Sequence, residues 1–236
     1  MTGDFLITKE FLKELSPCTD GYRWFCEAYP DGGKYQEVLD NLCEIDRFDD
    51  AFWLLRKVGA TDDVLELDRI DDKEKNICFA GTIRASQYLI LKNIKAGGSI
   101  EAGWFIKAGG SIEAGESIEA GEYIEAGWSI KAGGSIEAGW FIKAGEYIEA
   151  GESIEAGWSI KAGGSIEAGG FIKAGEHIEA GWFIKAGWFI KAGEDYGVYA
   201  GLSMRISDMK ERGYIKAQEK PKNIMCGYWD GEGYES

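Results

Sequence analysis

Isoleucine recurs at every sixth residue from Ile94 to Ile190, in seventeen consecutive hexads of the form Ile-(Glu/Lys)-Ala-Gly-x-x. The fourth position is always glycine. The fifth is glycine, glutamate or tryptophan until the run ends, and the sixth is serine, phenylalanine, tyrosine or histidine. Such self-similarity is read before any local propensity. A helix does not fit it: six residues advance about 600° at ~100° each, so the isoleucines would wind around the axis instead of forming a stripe. A glycine in every turn and a half would also cost about 1 kcal/mol each. A strand does fit. In Phe105-Ile106-Lys107-Ala108, alternation sends Ile106 and Ala108 one way and Phe105 and Lys107 the other. Gly109-Gly110 then supplies a bend. Short strand, bend, short strand predicts a mainly β fold: a hexapeptide-repeat β-solenoid, a triangular β-helix of about 18 residues per coil and about seven coils.

That register orders the outward side chains into columns. The first face carries Ser99, Ser117, Ser135 and Ser153 beside an acidic ladder of Glu101, Glu119, Glu137 and Glu155, with Glu116 and Glu152 at neighbouring bends. Towards the C-terminal end it changes to Phe171, Lys173, Phe189 and Lys191. The second face carries Phe105, Tyr123, Phe141, Ser159 and His177, with Trp104, Trp140 and Trp158 at its bends. The third is mixed, with Tyr147 and Phe183 among serines. The acidic ladder has two readings, a solvated face that keeps the rod in solution and a contact for a basic partner. The aromatics also have two, cross-coil stacking and an interface for a target or a second copy.

Residues 1–76 read as a small α-helical head. Thr8 is placed to cap a first helix, Asp20 a second over 21–29, a third spans 35–45, and Asp49 or Asp50 opens a fourth that ends at Gly59. The solenoid is expected over 77–206. Val198–Gly201 and Met204-Arg205-Ile206 read as degenerate last coils, and 207–236 as a C-terminal cap or pairing segment. Capping at both ends would protect the open edges of the rod.

Composition narrows the function. The 236 residues carry a formal charge of −15, of which −9 falls within residues 1–76. An acidic chain repels phosphate, so direct nucleic-acid binding is not expected, and a protein target with a basic surface is. The first residues lack the basic and apolar regions of a signal peptide, and no apolar run approaches membrane-spanning length; a cytoplasmic protein of a bacterial cell, without membrane contact, is expected. Five cysteines without CxxC spacing read as reduced thiols, and a zinc site from Cys18, Cys26 and Cys43 is disfavoured. No cofactor or metal is expected. Acyltransferases with hexapeptide solenoids use a catalytic histidine, but the single histidine, His177, occupies a position held elsewhere by Phe and Tyr, which marks it as a surface substitution.

With the hexads and the segment DGYRWFCEAYP…RFDDAFWLLRKVG together in view, the chain resembles uncharacterised bacterial and prophage-type proteins that join a helical head to an Ile-(Glu/Lys)-Ala-Gly repeat. The repeat is also loosely similar to that of bactofilins, polymer-forming scaffold proteins. The expectation is a non-enzymatic binding rod, an inhibitor carried by a phage or other mobile element and directed at a nucleic-acid-targeting defence complex, of anti-CRISPR or anti-restriction type. A self-assembling scaffold is the rival, with homodimerisation open under either, and an acyltransferase dependent on His177 the remote third.

Overall fold

The computed structural model describes residues 4–203 and 206–231. It is a parallel β-solenoid of about nine coils with a helical head at its N-terminal end. Ile118 pairs with Ile136 and Ile136 with Ile154, so the period is the expected 18 residues. At ~4.8 Å per coil the rod is about 40 Å long. Each coil has three short strands. Face I is an eight-stranded sheet that includes Ile100–Ala102, Ile118–Ala120, Ile136–Ala138 and Ile154–Ala156. Face II includes Ile106–Ala108 and Ile124–Ala126, and face III Ile112–Ala114 and Ile130–Ala132.

The isoleucines point inward and form the core. From Ile100 to Ile184 none is more than 1% exposed, and each contributes roughly 1.5–3 kcal/mol by leaving water. The invariant fourth-position glycine has a steric cause. A Cβ on Gly139 would fall inside the van der Waals shell of the Gly121 carbonyl oxygen one coil earlier, and the same clash recurs coil after coil.

The solenoid extends beyond the perfect hexads at both ends. Val64–Leu67 and Ile70–Phe79, which lie wholly or mostly within the span 1–76 read as helical, are its first strands and pair with Thr82–Ala85 and Leu89–Ala96. Leu65, Leu67, Ile70 and Ile77 supply the inward apolar positions there without the repeat motif. At the other end Tyr214–Lys216 continues the column of Ile184, and Tyr228–Trp229 lies beyond it. Residues 207–231 thus add coils to the rod as well as ending it. Asn223 Nδ2 donates to the Glu194 and Tyr196 carbonyls at 2.8 and 3.0 Å and ties this last layer down. Met204 and Arg205, read as part of a degenerate coil, lie outside the described residues.

The head comprises α1 (Lys9–Glu14), α2 (Thr19–Ala28), α3 (Tyr35–Glu44) and α4 (Phe48–Val58). Thr8 caps α1 by accepting from Phe11 N. The cap of α2 is Cys18, whose Sγ accepts from Gly21 N at 3.2 Å; Asp20, the expected cap, is drawn instead to Arg47 at 2.9 Å. The fourth helix opens at Phe48, with Asp49 and Asp50 in its first turn, where carboxylates suit the helix dipole. The head docks against the outer side of Ile70–Phe79. Gln36 accepts from Ala80 N at 2.8 Å and donates to the Cys78 carbonyl at 3.0 Å, so one side chain satisfies both polar groups of the strand. Cys78 and Ala80 join the head's apolar core. The end of the first coil is not sealed. Leu65, Leu67, Ile70, Ile77 and Phe79 stay partly exposed around a cavity of about 770 Å³, and the charged run Asp71–Lys75 guards the strand edge.

Candidate interaction surface

On faces II and III the outward charges largely neutralise one another from coil to coil. Glu125 accepts from Lys107 at 2.7 Å and from Lys143 at 3.0 Å, and these two ammonium groups hold its carboxyl below the usual range. Lys131 pairs with Glu149, Lys161 with Glu179 and Lys185 with Glu167. Sequence neighbours 18 apart of opposite sign produce this directly.

Face I breaks the rule. Glu101, Glu119, Glu137 and Glu155 stand in register on four consecutive coils. The ends of the row are neutralised: Arg84 binds Glu101 at 2.8 Å, and Lys173 binds Glu155. Glu119 and Glu137, both exposed, have no cationic partner among the described residues. They line a shallow groove with Gly121, Gly139 and Glu155. Glu116 and Glu152, at the adjoining corner, accept from Ser99 and Ser135 at 3.2 and 3.3 Å. All six ladder residues therefore lie on one side of the rod; Glu116, Glu119, Glu137 and Glu152 have no cationic partner among the described residues, and of these Glu119 and Glu137 stack in register on adjacent coils.

The aromatic column on face II is a stack. Phe105, Tyr123 and Phe141 follow one another at 4.7 and 4.9 Å with nearly parallel planes, and Tyr88 extends the column at 4.9 Å. Their ring faces are spent on one another, which stabilises successive coils. Trp140 and Trp158 stack likewise at 5.2 Å along the corner, while Trp104 leans on Tyr88. These three tryptophans are 39–49% exposed. His177 lies further along face II, edge-on to Tyr196 at 4.7 Å.

Arg84 and Tyr88 were not expected, because both precede the perfect hexads. The signal was present: Ile83-Arg84-Ala85 is a hexad core without its glycine, and Tyr88 stands just before an inward Leu89. A five-residue step from Leu89 to Ile94 breaks the period and hides both. In the head, a small apolar pocket of about 170 Å³ is lined by Leu12, Pro17, Trp24, Trp53 and Leu54, with Asp50 at its rim held by Arg47. Burial pushes the Cys43 thiol up to about 12 and the Cys78 thiol well above its ordinary value. Among the described residues no group of three His, Cys, Asp or Glu side chains is placed to hold a metal ion, and no helix is long and apolar enough to cross a membrane.

A family model, the YdhT N-terminal domain, matches residues 1–60. That is the helical head, and the match stops just before the first solenoid strand at Val64. No curated protein and no solved structure matches the chain.

Proposed function

We propose that the protein is a non-enzymatic binding rod that engages a basic protein surface through face I. The observation that carries this reading is the Glu119–Glu137 pair. On faces II and III outward charges are offset by neighbours; here two carboxylates are stacked in register without a counter-charge, an arrangement that costs stability in the free protein and is relieved by a cationic partner. The target we favour is a bacterial nucleic-acid-handling defence complex, a CRISPR effector or a restriction enzyme, whose basic groove would accept the ladder in place of phosphate. The carrier would be a phage or other mobile element and the site of action the bacterial cytoplasm. The exposed corner tryptophans Trp104, Trp140 and Trp158 adjoin face I and would supply the apolar part of the contact.

The test is capture of proteins from a bacterial lysate on the immobilised protein, with and without nuclease. Recovery of nucleic-acid enzymes that added DNA displaces supports the reading; recovery that nuclease abolishes, or that DNA leaves unchanged, counts against it. One observation favours a second reading, a self-assembling scaffold: the partly exposed apolar end at Leu65, Leu67, Ile70, Ile77 and Phe79 offers an unpaired strand edge for end-to-end growth. Light scattering separates the two, since open-ended growth gives mass that rises without limit with concentration.

A further inference from the structure

Face I changes character along its length. Its outward row runs from glutamate, Glu101 to Glu155, to lysine, Lys173 and Lys191. The row beside it runs from serine, Ser99 to Ser153, to phenylalanine, with Phe171 and Phe189 stacked at 5.0 Å. Small side chains thus accompany the negative half and large ones the positive half. Lys191 is exposed and, like Glu119 and Glu137, has no ionic partner among the described residues.

We infer that face I binds a second copy of this chain, antiparallel, about a two-fold axis at the Glu155 coil. The inference rests on the reading of Glu119 and Glu137 as a site for a basic surface, and it supplies that surface from the protein itself. A two-fold axis lying in the contact plane and perpendicular to the rods reverses the order of the coils and keeps each row opposite its own counterpart. Lys191 then faces Glu119 of the second copy, and Lys173 faces Glu137. Phe189 and Phe171 fall over Ser117 and Ser135, where the facing side chains are small. Every contact is made twice, as an isologous interface requires. The head docks through Cys78 and Ala80 on Ile70–Phe79, a strand of the other sheet and not of face I. Two-fold closure uses up face I and yields a dimer with a fixed size. It also hides the acidic pair, so a target must displace the second copy to reach it. Four carboxylates, Glu152 and Glu155 from each copy, gather near the axis, and Lys173 beside Glu155 offsets two of them.

The experiment is sedimentation velocity on the full chain over a range of concentration and salt. Wild type is expected as a monomer–dimer equilibrium whose dissociation constant rises with ionic strength, because the contacts are exposed charge pairs. Lys191→Glu and Glu119→Lys are each expected to raise that constant at least tenfold. Neither removes an internal ion pair, and circular dichroism checks that both fold. Mixed in equal amounts, the two variants face each other with opposite charges at both contacts, and the dimer returns. A wild type that stays monomeric at all concentrations, variants that dimerise unchanged, a mixture that stays monomeric, or growth beyond the dimer overturns the inference. The acidic-surface reading fails separately. Lys191→Glu keeps Glu119 and Glu137, so a monomeric Lys191→Glu protein that captures no basic protein from lysate counts against that reading and leaves the dimer standing.

Discussion

Glu119 and Glu137 stand directly opposite each other on adjacent coils of face I, paired in register with no cation between them. Charges of opposite sign would have been simple to place there, as Glu125 between Lys107 and Lys143 demonstrates one face away. The rod carries a local repulsion on the surface proposed for binding. Glu137→Gln should therefore raise the melting temperature, by the equivalent of a few tenths of a kcal/mol up to about 1 kcal/mol, and weaken partner binding. The gain should shrink in high salt. Differential scanning calorimetry at two ionic strengths checks the first effect and capture efficiency the second.

The interior is far less forgiving than the faces. Ile136 is fully buried, and Ile136→Ala is expected to cost about 2–5 kcal/mol through lost burial and the cavity left behind. Gly139→Ala adds a single methyl, yet that methyl meets the Gly121 carbonyl. It should destabilise by about 1–3 kcal/mol or more. Thermal melts of both variants, read against a surface change such as Ser135→Ala, test whether stacking distance or propensity explains the glycine.

Much of this architecture is legible in the sequence. Ile118, Ile136 and Ile154 announce their own register, because a strict period leaves one way to stack them. The outward columns follow from the same arithmetic, so the sequence placed Glu101 to Glu155 on one face. What the period could not reach were the irregular coils. Leu65 stands where the repeat has isoleucine, and Ile77 is followed by Cys78 and Phe79 in place of a charge and alanine, so the boundary at residue 76 fell inside a strand. Asp20 looked like a helix cap because its competing partner, Arg47, is distant in sequence. Glu119 and Glu137 are distinguished from Glu101 and Glu155 only by Arg84 and Lys173, one of which precedes the repeat.

Lys95 records the cost of docking the head. Its side chain is 5% exposed, lies over the Phe52 ring and pairs with Glu113 at 2.8 Å. Burial lowers its pKa from 10.5 to about 8, against the opposing pull of Glu113. Between those two values the unfolded chain holds the proton and the folded chain releases it, so stability rises with pH from about 8 towards 10.5; below 8 both hold it and the penalty of the buried charge is constant and at its largest. Lys95→Met should abolish that rise and stabilise the protein at pH 7 by on the order of 1 kcal/mol. Denaturant titrations at pH 7, 9 and 10 distinguish this from a simple packing effect.

Gln36 is the hinge pin of the head. Replacing it with alanine strands Ala80 N, which is buried, at a cost of about 1–3 kcal/mol. The loss should be local. Hydrogen exchange is expected to accelerate in α3 and in Ile70–Phe79 while the coils from Ile118 to Ile154 keep their protection.

The most direct test of the binding account compares two charge reversals of equal size. Glu119→Lys/Glu137→Lys alters the unneutralised pair on face I, and Glu149→Lys/Glu167→Lys alters two paired carboxylates on face III. Both change the net charge identically. Proteins captured from nuclease-treated bacterial lysate are then quantified by mass spectrometry. The account predicts that the face I reversal loses the captured basic proteins and the face III reversal keeps them; equal recovery by the two variants would contradict it.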